Sequence, residues 1–107
     1  MISLIIPTFN EEKVIGECLT SLAKQTCKDL EVIVVDDGSV DRTSEVLSKF
    51  KILRQQHKGP GLARNLGASQ AKGEILVFVD ADMTFDSDFI EKLVEPIVEG
   101  KAKGTFS

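Results

Sequence analysis

The 107-residue sequence has no tryptophan, no tyrosine, one histidine and only two cysteines, Cys18 and Cys27. Two cysteines at this spacing are typical neither of a disulfide framework nor of a metal-binding pair. The sequence also lacks an N-terminal signal peptide and any apolar run long enough to span a membrane. We therefore expect a cytoplasmic location, and a membrane anchor of the full-length protein would belong to sequence outside these residues.

Basic residues are fewer than acidic ones. The sequence has 13 lysines and arginines and 17 aspartates and glutamates, which gives a net charge of −4. Such a chain offers no broad basic patch, so we expect no nucleic-acid partner and no binding to an anionic membrane surface. An anionic ligand would instead need a local metal ion, an arginine or a helix N-terminus. The length predicts one domain covering residues 1–107.

Two apolar runs end in pairs of acidic residues. Residues 75–79 run into Asp80 and Asp82, and residues 32–35 run into Asp36 and Asp37. Continuous apolar runs of this length are typical of strands buried on both faces of a parallel sheet. Because ligands bind at the carboxyl ends of such strands, we expect the two acidic pairs to converge on one edge of the sheet.

Alternating strand and helix patterns predict an α/β fold, a Rossmann-like doubly wound parallel sheet in three αβα layers. The predicted strands cover residues 2–6, 30–35 and 75–79, with a short third strand beginning at residue 52. Pro7 should end the first strand because it lacks a ladder donor. We expect the sheet order third, second, first, fourth. The switch point then lies between the first and fourth strands, where Thr8, Asp36 and Asp80 would flank one crevice.

The acidic residues indicate a metal-assisted site for a phosphate-bearing ligand. Two neighbouring carboxylates repel each other unless a cation or proton lies between them, and their hard oxygen atoms suit Mg²⁺ or Mn²⁺. The glycine-rich fingerprints of dinucleotide-binding and phosphate-binding loops are absent. A metal held by Asp80 and Asp82 would instead bring the phosphates into the site. Asp36 or Asp37 would accept a hydrogen bond from a base or ribose, and Arg64 would pair with an anionic oxygen.

Structural explanations remain open for several residues. Asp82 could simply begin a turn, and Arg64 could be a solvated surface charge. Asn10 can cap a helix that starts just after it, which would account for this residue without any ligand. The single histidine, His57, is expected to be a solvated loop residue. Phe9 is expected to pack at the corner between the first strand and its helix rather than to stack on a base.

Four segments of the chain closely resemble the family 2 glycosyltransferases. They are residues 7–12, 34–41, 61–67 and 78–82, which read PTFNEE, VVDDGSVD, GLARNLG and FVDAD. The resemblance covers nearly all 107 residues and implies the nucleotide-sugar-binding half of a GT-A fold. It matches Asp80 and Asp82 to the family's metal-binding Asp-x-Asp, with Mg²⁺ or Mn²⁺ as cofactor. The nucleotide-binding residues that it implies are Pro7, Thr8, Asn10, Glu11, Asp36, Asp37, Arg64 and Asp80.

The resemblance also implies a reaction. A sugar would pass from a nucleoside diphosphate donor to a hydroxyl of a saccharide, lipid or other acceptor, with inversion, after a carboxylate base deprotonates the acceptor. Family members continue past the equivalent of Ser107, so we expect the base beyond Ser107 and a further strand starting within residues 101–107. The chain would then be a truncated, donor-binding portion. An exposed sheet edge after the fourth strand would favour a homodimer.

Two other functions compete with this interpretation. A non-catalytic nucleotide-binding fragment would keep the donor site but lack the acceptor half and the base. A phosphoacceptor receiver domain also carries paired aspartates and a later strand-end aspartate. In receiver domains, however, the acidic pair follows the first strand. In this chain Asp36 and Asp37 follow the second strand, so the receiver interpretation is the weaker one.

Overall fold

The computed structural model of the chain describes residues 1–46, 52–98 and 105–106. Its strands are β1 (Ile2–Thr8), β2 (Leu30–Asp36), β3 (Ile52–Arg54), β4 (Ile75–Phe78) and β5 (Thr105–Phe106). Its helices are α1 (Ile15–Ala23), α2 (Thr43–Val46), α3 (Pro60–Gln70) and α4 (Phe89–Val98). Within these described residues, no helix is both long and apolar enough to cross a membrane.

The strands form one parallel sheet in the order β3-β2-β1-β4-β5. All of β1 pairs with β2, and residues 2–5 of β1 pair with β4 on the other side. The order of the first four strands is therefore the predicted one. The switch point lies between β1 and β4, because β2 and β3 are added on one side of β1 and β4 on the other.

Helices cover both faces of the sheet, which confirms the predicted three layers. On one face, Leu4 of β1 shares a core cluster with Leu19 of α1 and Ile90 of α4. On the other face, Ile5 clusters with Ala63 of α3. Successive strand residues point to opposite faces, and here each face is covered, so successive residues must both be apolar. This requirement explains the unbroken apolar runs in the sequence.

The prediction that Pro7 ends β1 is wrong, because the strand continues to Thr8 and pairs there with Asp36 of β2. The backbone N–H and C=O groups of successive β1 residues point alternately toward β2 and toward β4. The Thr8 carbonyl accepts a hydrogen bond from Asp37 N on the β2 side, and the Ile5 carbonyl accepts one from Val79 N on the β4 side. Pro7 lies two residues after Ile5, so its backbone nitrogen points toward β4. The pairing of β1 with β4 ends at Ile5. The missing N–H of Pro7 therefore costs no bond to β2.

The prediction of an exposed edge directly after the fourth strand is also wrong. β5 pairs with β4 there, with Thr105 opposite Val77 and Phe106 opposite Phe78. A further strand was predicted to start within residues 101–107, and residues 105–106 form it, while residues 101–104 and 107 lie outside the described part. The homodimer predicted through an exposed sheet edge stays a prediction.

Candidate functional site

A crevice of about 400 Å³ opens at the carboxyl end of the sheet. Its walls come from the end of β1, the turns after β2 and β3, the start of α3 and the segment after β4. The lining residues are Pro7, Thr8, Phe9, Glu11, Asp37, His57, Pro60, Arg64, Asp80, Ala81 and Asp82. The structure thus gathers most of the predicted site residues around one cavity at the switch point, and Asn10 and Asp36 are the two that it leaves out.

The acidic pair after β4 projects into this crevice. Val79 and Ala81 are buried, whereas Asp80 and Asp82 are exposed. This alternation turns both carboxylates to the open side of the chain. An Arg64 guanidinium nitrogen lies 3.9 Å from an Asp80 carboxylate oxygen, so α3 brings a cation to the acidic pair. Because both groups are well exposed, this ion pair adds little stability, and its position at the crevice is what matters.

Glu11 adds a third carboxylate to the same side of the crevice. Partial burial raises the pKa of Glu11, and the charges of Asp82, Asp41 and Asp80 raise it further. Burial is the largest cause of this shift, and the contribution of the three neighbouring carboxylates shows that negative charge is also crowded here. Such crowding is what a bound divalent cation would relieve.

The chemistry of the acidic pair fits a hard divalent cation. Magnesium is usually held in proteins by one or two carboxylates, with water and substrate phosphates completing its ligands. Asp80 and Asp82 offer such a partial set. Within the described residues, no group of three or more His, Cys, Asp or Glu side chains is arranged to hold a metal by itself. The donor set therefore suits a metal shared with a phosphate-bearing ligand rather than a closed structural site.

Asp37 organises the turn that leads to α3. Its carboxylate accepts hydrogen bonds from Gln55 Nε2 at 2.7 Å, Lys58 N at 2.8 Å and Gly59 N at 3.0 Å. Only 2% of Asp37 is exposed. Burial opposes its ionisation, but these hydrogen bonds and the nearby His57 outweigh burial and hold the pKa of the carboxyl below its ordinary value. Asp37 therefore lines the crevice as an ionised carboxylate, and its hydrogen bonds hold Gln55, Lys58 and Gly59 in place.

His57 and Phe9 are crevice residues that the sequence did not identify. His57 Nδ1 lies 2.9 Å from Asp37 Oδ2. The imidazole stacks on Phe9 with ring centroids 4.1 Å apart and planes inclined by 26°. His57 lies exposed in its loop, as expected, and it also contacts Asp37 and Phe9. Phe9 packs against it one residue past β1, so the predicted packing at this corner involves the imidazole. The one signal for His57 was its place just before the start of α3, at the carboxyl edge of the sheet.

Asn10 and Asp36 lie outside the crevice lining and bind backbone groups of the turn after β2. Asn10 Oδ1 accepts a hydrogen bond from Val40 N at 2.9 Å, and Asn10 N donates to Ser39 Oγ at 3.0 Å. Asp36 is buried, and its Oδ1 accepts from Ser39 N at 3.0 Å. The predicted helix cap at Asn10 is wrong, because α1 begins only at Ile15 and no side chain caps it. The Asn10 side chain instead joins the turn after β1 to the turn after β2, and the Asp36 side chain holds the turn after β2 itself.

The chain is a doubly wound α/β domain of the GT-A type, with a carboxylate-lined crevice at its switch point. The model of one family, described as "Glycosyl transferase family 2", matches residues 3–106. The chain belongs to glycosyl transferase family 2. "Glycosyltransferase GlyA" of Streptococcus pneumoniae is 35% identical over 108 residues, covering 94% of this chain but 16% of GlyA.

Solved structures match the fold closely. The crystal structure of Staphylococcus aureus TarS 1-349 in complex with UDP has a TM-score of 0.83 and 38% identity, covering 92% of this chain and 32% of that chain. Glucosyl-3-phosphoglycerate synthase from Mycobacterium tuberculosis, in complex with Mn²⁺ and UDP-glucose, has a TM-score of 0.76 and 29% identity, covering 94% and 40%. The chain thus spans well under half of each of these proteins.

Proposed function

We propose that the crevice binds a nucleoside diphosphate sugar with Mg²⁺ or Mn²⁺ and forms the donor site of an inverting glycosyltransferase. The observation that carries this proposal is the exposed Asp80 and Asp82 pair at the switch point, with Arg64 beside it. The family membership and the Mn²⁺ and UDP-sugar in the mycobacterial synthase structure support the same function.

Each side of the crevice has a proposed role. Asp80 and Asp82 would hold the metal, which would supply positive charge next to the diphosphate of the donor. Arg64 binds a phosphate oxygen, for which its guanidinium is suited. Of the other lining residues in the predicted set, we assign Pro7, Thr8 and Asp37 to the nucleoside. Glu11 was predicted to bind the nucleotide as well, and we assign it to the metal side because it lies near Asp80 and Asp82. Asn10 and Asp36 were predicted to contact the nucleotide, and we now assign them to positioning because their hydrogen bonds go to the turn after β2.

The acceptor side of the reaction is not assigned to any described residue. We propose that the base which deprotonates the acceptor hydroxyl lies beyond Ser107, and the acceptor class, a saccharide, lipid or other hydroxyl compound, stays open. A nucleotide-binding fragment without transfer activity is the alternative, and release of sugar from UDP-GlcNAc or UDP-glucose distinguishes the two. The receiver-domain interpretation is set aside, since the family match covers residues 3–106. The cytoplasmic location stays a prediction.

Calorimetric titration of UDP and GDP tests the donor site. We expect binding in the presence of Mn²⁺ and its loss with a chelator or in the double variant Asp80→Asn/Asp82→Asn. The matched control is Asp86→Asn/Asp88→Asn, which removes the same charge from exposed or half-buried positions outside the crevice. This control should bind like the unmodified chain. Equal, metal-independent binding by both double variants would contradict the proposal.

A further inference from the structure

Gln25 is a buried polar residue to which the proposed function gives no role. It lies two residues past the end of α1, and only 1% of it is exposed. Its Nε2 donates to the carbonyl oxygens of Asp86 at 2.7 Å and Ser21 at 3.2 Å, and its Oε1 accepts from Ile90 N at 2.9 Å. Asp86 and Ile90 are 61 and 65 residues away in the chain, so this side chain joins the end of α1 to the start of α4.

The acidic pair lies in the loop of residues 79–88, which joins β4 to α4. The sheet holds the first part of this loop, because Val79 N donates to Ile5 O. A turn follows, in which Met83 N donates to Asp80 O at 3.2 Å. Asp80 is therefore placed by the sheet and by this turn.

The second part of the loop depends on the end of α1. Asp82 is the third residue of the turn, and Asp86 follows it by four residues. Gln25 Nε2 binds the Asp86 carbonyl, and Thr26 N donates to Ser87 O at 2.7 Å. These two bonds tie the loop beyond Asp82 to the residues that follow α1.

The amide of Gln25 specifies a position as well as filling space. Both of its polar atoms are paired with backbone groups, as a buried amide requires. Its oxygen binds an amide in the first turn of α4, where helix amides have no partner within the helix. An apolar side chain of similar volume would fill the same space, but it would not fix the loop and the helix at one separation. Gln25 therefore sets the distance between α1 and the loop that carries the acidic pair.

We propose that Gln25 is a positioning residue for the metal site, because its bonds to the loop and to α4 keep Asp82 at the spacing from Asp80 that one shared cation requires. The inference rests on the proposed function, since it requires a divalent metal at the acidic pair. Gln25 lies outside the crevice lining, so it acts on the metal only through the loop. Displacement of a ligand by about 0.5 Å is enough to weaken such a site.

Gln25→Met tests this role, because it removes both long-range bonds at nearly the same volume. Ser3→Ala is the matched control. Ser3 is also fully buried, and its hydroxyl donates to Glu31 and accepts from Gly73 N at the opposite end of the sheet. Mn²⁺ binding in the presence of UDP is measured from the electron paramagnetic resonance signal of free Mn²⁺.

The expected result is a loss of affinity and not of folding. We expect about tenfold weaker Mn²⁺ binding in Gln25→Met, the lower end of the range for residues that support metal ligands, and a change of less than about threefold in Ser3→Ala. The number of Mn²⁺ sites per folded chain should be the same in both variants. A residue that supports only the fold would change the folded fraction and leave this affinity unaltered.

A second measurement needs no substitution and therefore holds even if Gln25→Met fails to fold. Coupling between two sites is reciprocal, so Mg²⁺ with UDP should in turn strengthen the bonds of Gln25. Hydrogen exchange of the Ile90 amide, which donates to Gln25, should slow by about tenfold when both are added. The Gly73 amide, which donates to Ser3 Oγ, is the internal control and should change much less.

Each outcome decides the inference. Unchanged Mn²⁺ affinity in Gln25→Met overturns it alone, and so does equal weakening in Ser3→Ala, which would reflect lost stability. Equal slowing of exchange at Ile90 and Gly73 also overturns it, because ligand would then stabilise the whole fold without acting through Gln25. An unmodified chain that binds no Mn²⁺ with UDP overturns the proposed function together with the inference.

Discussion

Gly67 of α3 lies directly against Ile5 of β1. A β-carbon built on Gly67 would stand 2.5 Å from Ile5 Cγ2 and 3.2 Å from Val35 Cγ2. Because side chains in the sheet are tightly packed, Gly67→Ala must push α3 away from the sheet or force Ile5 out of its rotamer. We expect the free energy of unfolding to fall by about 1–3 kcal/mol, measured by denaturant titration.

Gly61→Ala is the matched control in the same helix. No atom lies within 4 Å of a β-carbon built at Gly61, and the residue is exposed. Alanine is the better helix former, so this substitution should leave the free energy of unfolding unchanged or raise it by up to about 1 kcal/mol. Equal destabilisation by both substitutions would contradict the close approach of α3 to β1.

Glu11→Gln should stabilise the metal-free chain at neutral pH. The pKa of Glu11 is raised in the folded state by burial and by neighbouring carboxylates, so the folded protein binds its proton more tightly than the unfolded chain does. Ionising Glu11 therefore lowers the stability of the folded state. This loss is absent at a pH below the ordinary pKa of 4.5 and is complete at a pH above the raised pKa of Glu11 in the folded protein. We expect a gain of about 0.5 kcal/mol in the free energy of unfolding at about pH 7.

The pH dependence is the decisive part of that measurement. Thermal unfolding of Glu11→Gln and the unmodified chain should converge as the pH falls toward about 4, where Glu11 is protonated in both states. Glu74→Gln, at an exposed position outside the crevice, should show no such convergence. A gain for Glu11→Gln that is independent of pH would mean that crowded charge is not its cause.

The buried strands were the predictable part of the fold. The apolar residues of β1, β2 and β4 could be identified from the sequence because burial on both faces leaves an unbroken apolar run. Pro7 and α1 were misjudged for a different reason. Whether a proline interrupts a strand depends on which neighbour its missing N–H faces, and whether Asn10 caps a helix depends on competing partners, here Val40 and Ser39.

The site was predictable only where residues lie at strand ends. Asp37 follows β2 directly and Asp80 lies two residues past the end of β4, so topology alone brings them to one crevice. His57 reaches the same crevice through a turn that Asp37 holds by hydrogen bonds 18 to 22 residues away in the chain. No local pattern encodes such long-range side-chain bonds. For the same reason the sequence did not separate Asp36, which supports a turn, from Asp37, which lines the cavity.

The two cysteines should differ in reactivity. Cys18 is fully buried, and burial together with the charge of Asp82 raises the pKa of its thiol to about 11. Cys27 is only half-buried. Because the thiolate is the reactive form, one equivalent of an aromatic disulfide reagent should react with the native chain and a second only after unfolding. Cys27→Ser should abolish the native-state reaction, whereas Cys18→Ser should preserve it. Two equivalents in the native state would refute the burial of Cys18.

Thr43 should control the position of Glu11. Its hydroxyl is buried, accepts a hydrogen bond from Glu11 N at 2.9 Å and donates to Asp41 Oδ1. Thr43→Val keeps the shape but leaves the Glu11 amide and the Asp41 carboxylate short of a partner. We expect a loss of about 1–3 kcal/mol in the free energy of unfolding and weaker UDP binding with Mn²⁺.

Thr43→Ser is the comparison that isolates the hydroxyl, because it removes only a methyl group, worth about 0.8 kcal/mol when buried, and keeps both hydrogen bonds. The serine variant should therefore bind UDP like the unmodified chain, even though it is somewhat less stable. Weakened binding in the valine variant alone would link the turn after β2 to the crevice through Glu11. If the two variants lose binding in proportion to their stability, Thr43 supports only the fold, and the coupling between the two turns has no effect on the ligand.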